Sequence, residues 1–274
     1  MARSKPKYRR PLSDDQLEIL ELLYKFRFGS SSLVAEYFGK NHRAFAFNRL
    51  RILQEQGFIG KRFESTYRMQ AKPAAYYLLP TGARKLQERR KSKDEINIKG
   101  IYKDKAVSET FIQHSLDIFS IYNQLKAQYG SKLDFFAKSD LVGYKHFPKP
   151  LPPDAFLILN MEGDEKHFFL DIFEDNQPFF KAVRKIRQYV EYRESGKWAA
   201  TTDVDFPSIL FVCDSTAIQV QIRKQIVKIL SKSLIDDLVF ATTTKAELKT
   251  LAENDAIWQL ATKPDTKRLL PSIS

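Results

Sequence analysis

The sequence predicts a mixed α/β chain in two parts: a small helical domain with a β-hairpin over residues 12–93, and a larger sheet domain over residues 106–250. Three observations predict it. Short helical segments with marked stops dominate before residue 93, whereas extended apolar runs alternate with helical ones after residue 130. The composition, 43% hydrophobic and 13% aromatic, supplies a core for each part. The charge divides between them: residues 1–93 hold 21 basic and 8 acidic residues, net +13, and residues 94–274 hold 24 and 25, net −1. The whole-chain charge of +12 therefore sits in the first third, as expected of a segment that meets a polyanion.

Composition also excludes several classes. The single cysteine, Cys213, rules out an internal disulfide framework and a Cys-based zinc site, and a reducing cytoplasm fits it. No apolar run approaches the roughly 18 residues that cross a bilayer. The arm over residues 1–11 is basic and has no apolar segment behind it, so it does not read as a secretory signal. A soluble cytoplasmic protein without membrane contact is the expectation.

In the first domain, Ser13 is placed to cap a helix whose first turn carries Asp14 and Asp15, where the helix dipole favours carboxylates. Leu17, Ile19, Leu20, Leu23 and Tyr24 form its apolar stripe, and Gly29 ends it. Ser30 caps a short helix, 33–38, stopped by Gly39. Asn41 opens a third helix to Gln56, with Phe45, Leu50 and Leu53 inward and Gly57 as its stop. Strand-like runs at 58–63 and 74–79 flank a basic stretch, and a further helix follows Pro80. Three helices and then a hairpin with a basic tip is the order of a winged helix-turn-helix.

In that arrangement the third helix enters the major groove, presenting Asn41, His42, Arg43, Asn48, Arg49 and Arg51. Arg43 and Asn48 are the expected base contacts, because Arg pairs bidentately with guanine and Asn with adenine. Arg62, Tyr67, Arg68 and Lys72 place the wing on the DNA backbone or in the minor groove, and Lys5, Lys7, Arg9 and Arg10 of the arm follow a neighbouring groove. Double-stranded DNA is the expected partner, bound without a cofactor.

Residues 94–105 are polar and weakly patterned and read as a linker. Ser108–Tyr129 is amphipathic, with Phe111, Ile112, Leu116, Phe119 and Leu125 on one side. Extended runs follow at 133–137, 141–147, 154–159 and 166–173, then a helix at 177–193, a buried-type strand at 207–213, a helix at 216–231 and a strand at 238–241. Residues 251–274 read as a peripheral tail. Helix, strands, helix, strand, helix, strand gives an α/β sheet with helices on its faces, its core read as αβββαβ.

Pro153-Asp154 opens one strand and Asp171 lies near the end of the next. Carboxylates on adjacent strands can hold Mg²⁺ through oxygen, and the metal can activate water for phosphodiester cleavage. This pattern resembles the PD-(D/E)xK nucleases, a restriction-endonuclease-like fold, and the resemblance makes Asp154 and Asp171 the metal ligands of an active enzyme. The motif departs at its lysine. Phe173 stands there, on the same face as Asp171 by strand alternation. A lysine from the following helix, Lys181 or Lys185, is the alternative, with Lys185 as the third catalytic candidate.

Other chemistry finds no support in the letters. The four histidines, His42, His114, His146 and His167, form no His-x-His pair. Tyr189 and Tyr192 read as packing residues, His114 as a core histidine, and no glycine-rich phosphate loop occurs.

Across both domains the chain resembles the replication-relaxation family of bacterial plasmids and mobile elements. The carriers are Leu50–Phe58, Tyr76–Gly82, Gln113–Leu116, Pro153-Asp154, Phe169–Asp171 and Lys185–Tyr189. The resemblance implies a DNA-binding protein of replication, DNA relaxation or mobilisation, with replication or mobilisation proteins as partners and a homodimer as its assembly. Its sheet domain then serves assembly or DNA positioning. A Mg²⁺-dependent nickase and a transcriptional repressor with a dimerisation domain are the alternatives.

Overall fold

The computed structural model describes residues 11–40, 42–63, 67, 72–89, 96, 98–161, 163–233, 235, 237–252 and 255–273. The arm residues 1–10, together with Asn41 and Arg68, lie outside them. The chain forms two compact units that divide between Phe119 and Ser120.

In the first unit, α1 (Asp14–Phe26) begins with a reciprocal cap: Gln16 N–H donates to the Ser13 hydroxyl at 3.3 Å, and Ser13 N–H donates to Gln16 Oε1 at 3.0 Å. The helix stops at Arg27 (φ 67°), before Gly29. Phe28–Gly29 is a short strand, β1. Next come α2 (Ser31–Tyr37), α3 (Ala44–Glu55), β2 (Ile59–Arg62), β3 (Ala75–Leu78) and α4 (Pro80–Arg89). The sheet order is β1-β3-β2, all antiparallel. Ile19, Leu20, Leu50 and Leu53 are fully buried between the helices, as their spacing requires.

Within the segment expected as a linker, α5 (Ile98–Ile101) runs into a 3₁₀ turn, Tyr102–Ala106. Its polarity concealed an ion pair. Asp104 is buried, and Arg27 donates to it through Nε at 2.9 Å while stacking over Phe111. The helix α6 (Glu109–Tyr129) then begins in the first unit, where Phe119 stacks on Phe26 at 4.6 Å and Ile112 packs with Phe28 and Tyr77.

In the second unit, β4 (Leu133–Ala137), β5 (Ala155–Met161) and β6 (Asp164–Phe173) form an antiparallel meander. The helix α7 (Phe180–Glu194), the short α8 (Lys197–Thr201) and β7 (Ser208–Cys213) follow, with β7 parallel to β6. The expected αβββαβ order is therefore present. It continues through α9 (Thr216–Leu230), β8 (Phe240–Thr244), α10 (Lys245–Lys249), β9 (Trp258–Leu260) and β10 (Lys267–Arg268). The seven strands lie in the order β10-β9-β8-β7-β6-β5-β4. Phe169, Phe173, Phe211, Ile186, Tyr189 and Ile222 share one core cluster beneath α7 and α9. The opposite face presents Phe135, Leu157 and Phe168, paired in register, with Tyr122 of α6 against Phe135.

Two expectations are corrected here. Residues 141–147 form no strand. Leu141 and Phe147 are buried, but Gly143 at φ 100° and the Asp140 carboxylate accepting from Ala137 N–H fold the run into turns. The strands β4 and β5 pair directly from Ala137 and Ala155, so residues 138–154 are one long hairpin loop. The segment 251–274 is no appendage: Trp258 is 1% exposed and its strand pairs with β8. A Trp258→Ala variant is expected to lose about 3–5 kcal/mol in urea unfolding. A loss below about 1 kcal/mol would mean that this segment is peripheral after all.

Candidate functional site

The helix α3 buries Ala46, Leu50 and Leu53, spaced i, i+4 and i+7. That phase turns the other side outward. Arg43, Phe47 and Arg51, each one turn apart, are exposed, with His42 and Asn48 exposed beside them. Phe47 is 49% exposed, an apolar ring between two guanidinium groups. Phasing the helix on Phe45 hides this residue; phasing it on Ala46 reveals it. Phe45 is only partly buried, wedged between Phe38 and the Arg49 guanidinium, which lies 3.5 Å over its ring.

Not every predicted cation is available. Arg49 donates through Nη2 and Nε to Asp15 at 2.6 and 3.0 Å. Arg62 pairs with Glu109 at 2.9 Å and donates to Lys105 O at 3.0 Å. Tyr67 is buried, and its hydroxyl donates to the same Glu109 carboxylate. These three were predicted to touch DNA and are instead engaged inside the unit: the acidic partners that claim them are distant in sequence. Arg51 pairs with Glu55 at 2.8 Å on an open surface, where such a pair is weak and exchangeable. Lys72 is exposed. Asn41 and Arg68 lie outside the described residues.

In the second unit the three predicted catalytic residues come together. The last residues of β6 place Asp171 under α7, and Lys185 of that helix sets its Nζ 3.1 Å from Asp171 Oδ1. Asp154, at the entry to β5, donates its N–H to Asp171 Oδ1 at 3.2 Å, and its own Oδ2 accepts from Ile172 N–H at 3.1 Å. Lys181 points to solvent, so Lys185 is the lysine that turns inward. Phe173 packs edge-on against Phe211 at 4.8 Å and is part of the core.

Each of these groups already has partners. Tyr189 donates to Asp171 Oδ2 at 2.6 Å. The Lys185 ammonium donates to Leu151 O at 2.9 Å and Pro152 O at 2.7 Å, and Gln188 donates to Leu151 O at 2.6 Å. Both Asp171 oxygens are thus engaged by protein donors, and a divalent cation would have to displace them. Among the described residues no three His, Cys, Asp or Glu side chains converge as metal ligands. The donor set does not fit Mg²⁺ as arranged. Burial raises the Asp171 carboxyl from 3.8 to about 6, opposed by Lys185 and Tyr189 and reinforced by Asp154. Burial and the Asp171 charge lift Tyr189 well above 10, so its hydroxyl stays a donor. Tyr192 likewise packs, donating to His146 O.

A family model described as replication-relaxation matches residues 20–207, well over half of the chain. The chain belongs to the replication-relaxation family. The family match runs from within α1 to the residue before β7, so it includes the exposed face of α3 and the whole Asp154–Asp171–Lys185 centre. No curated protein matches the sequence. Two solved structures of the restriction endonuclease FokI, one of them bound to DNA, cover 85% of this chain at 13% identity, with TM-scores of 0.34 and 0.30. The chain spans 42% and 43% of their lengths, and at those scores the likeness bears on neither fold nor mechanism. Among the described residues no helix is long and apolar enough to cross a membrane.

The linkage of Asp171 has a definite sign. Its carboxyl holds a proton more tightly in the folded chain than in the unfolded one, so its contribution to stability is fully present below about 3.8 and is lost as pH rises through about 6. Removing the ammonium deepens that loss. Lys185→Met is expected to cost about 3–5 kcal/mol at pH 8, where a buried carboxylate is left unpaired, and clearly less at pH 5. Equal losses at both pH values would show that the variant breaks something other than the Lys185–Asp171 pair.

Proposed function

We propose that the protein is a DNA-binding member of its family acting in plasmid or mobile-element replication, relaxation or mobilisation. Its first unit acts as a winged helix-turn-helix, and its sheet domain positions DNA or assembles with other copies or partners without cutting. The observation that carries this reading is the outward face of α3, with Arg43, Phe47 and Arg51 in one row beside His42 and Asn48. That row fits the major groove, where Arg43 can pair with guanine, Asn48 with adenine, and the Phe47 ring can meet a thymine methyl group. Arg51 and Lys72 serve phosphates. The +13 charge of residues 1–93 supplies the long-range attraction.

Duplexes enriched from a random pool by the full chain are expected to carry a fixed A·T pair that Phe47→Ala no longer selects. Replacing thymine by deoxyuridine, which removes only the methyl group, should cost the wild type several-fold and the variant nothing. Binding should fall steeply with salt as counterions are released. Arg51→Ala with Lys72→Ala, the two phosphate contacts, should flatten the log–log slope by about 2. Salt-independent binding, or a variant with wild-type selection, refutes the α3 interface.

A second reading, Mg²⁺-dependent nicking, draws on the convergence of Asp154, Asp171 and Lys185. The engaged oxygens of Asp171 argue against it. Supercoiled plasmid carrying the native origin should remain intact with the protein and Mg²⁺ or Mn²⁺. Nicking that Asp154→Ala and Asp171→Asn both abolish would establish the enzyme instead.

A further inference from the structure

The hairpin loop over residues 138–154 is held firmly at its base and exposed at its tip. Leu141 and Phe147 are buried in the aromatic core, and Lys138 N–H donates to Asp154 O at 3.1 Å. The Tyr192 hydroxyl binds His146 O, and Lys185 and Gln188 bind the carbonyls of Leu151 and Pro152. Between these anchors a β-turn, Leu141–Tyr144, closes with Tyr144 N–H on Leu141 O at 3.4 Å, and Gly143 takes the positive φ that its third position requires.

The turn carries an unusual surface. Val142 is 68% exposed and Tyr144 57% exposed, although the Tyr144 ring also rests edge-on against Phe147 at 6.2 Å and beside His146 at 5.4 Å. Lys138, Lys145 and Lys149 are all exposed along the same loop. Its two acids are both engaged at its base, Asp140 accepting from Ala137 N–H and Asp154 from Ile172 N–H. A local excess of cations around a supported aromatic ring thus stands on a half of the chain with a net charge of only −1 over residues 94–274.

We propose that this loop is a binding site for unpaired DNA, with the Tyr144 ring stacking on an exposed base and Lys138, Lys145 and Lys149 neutralising the neighbouring phosphates. The charge selects a polyanion, and the ring selects its single-stranded form, because a base offers its face only when it has left the duplex stack. Support from Phe147 and His146 lowers the entropy lost on stacking. Lys185 then acts as a positioning residue: it holds the loop's return strand and does not touch the DNA. The site extends the DNA-binding reading above and is separable from it, since α3 addresses duplex grooves and this loop addresses bases without partners.

The test uses the full chain, a fluorescein-labelled 20-nucleotide oligothymidine and a labelled 20-base-pair duplex, followed by anisotropy across a salt series. Tyr144→Ala is expected to weaken oligothymidine binding about tenfold or more while duplex binding stays within twofold. Tyr144→Phe should restore it, because stacking needs the ring and not the hydroxyl. Lys145→Ala with Lys149→Ala should reduce the single-strand salt slope by about 1.4. The proposal is overturned if wild type fails to bind oligothymidine, if Tyr144→Ala binds it normally, or if that variant loses both DNA forms equally. Loss of duplex binding alone, in an α3 variant that keeps oligothymidine binding, supports two separate sites. A wild type that binds oligothymidine but no duplex overturns the α3 reading and leaves the loop standing.

Discussion

A buried carboxylate must be surrounded by donors, and around Asp171 that requirement organises the second unit. Its two oxygens take Tyr189 and Lys185 from α7 and the backbone N–H of Asp154 at the entry to β5. The helix, two strands and the long hairpin loop are thereby fixed to one point. Lys185 repeats the logic one step outward. An ammonium in that position needs more than one acceptor, and the carbonyls of Leu151 and Pro152 provide them, so the loop's path follows from satisfying a charge. The reach from Asp171 to the Tyr144 tip is therefore structural and does not require any chemistry at the carboxylate.

The first unit shows how a net charge is distributed in practice. A charge of +13 looks like a uniform basic surface, yet Arg27, Arg49 and Arg62 are drawn onto Asp104, Asp15 and Glu109. Those pairs shape the unit: Arg27 allows the turn after α1, and Glu109 gathers Arg62 and Tyr67 beside the hairpin. What stays on the outer face of α3, among the described residues, is Arg43, which no acid there claims, and Arg51, whose pair with Glu55 is exposed. The cationic face of α3 thus arises by subtraction, with internal partners deciding which cations remain.

Much of this was legible from the letters. Ser13 encodes a cap, Leu50 and Leu53 encode the inward face of α3 although Ala46 and not Phe45 completes it, and the runs of β6 and β7 encode buried strands. Asp154 and Asp171 were nameable because Pro153-Asp154 and the end of the next strand resemble a nuclease motif, and Lys185 because Phe173 stands where that motif has its lysine. What was hidden depends on partners far apart in sequence. Nothing near Arg62 announces Glu109, and nothing near Asp104 announces Arg27. The run at 141–147 alternates like a strand, but one glycine at positive φ in a turn defeats it, and Trp258 lies in a stretch whose polarity masks a strand held between β10 and β8.

Phe173 and Lys185 take complementary places around Asp171. With Phe173 filling the core against Phe211, the space along β6 next to Asp171 is closed to a lysine from the strand. The ammonium arrives from α7, and from there its natural acceptors include the loop carbonyls as well as the carboxylate. A catalytic lysine must be free to face a scissile phosphate; one that donates to two carbonyls and a carboxylate has its three protons committed. Held between Asp171 and the carbonyls of Leu151 and Pro152, the Lys185 ammonium acts as a clasp, and that clasp anchors the base of the exposed loop.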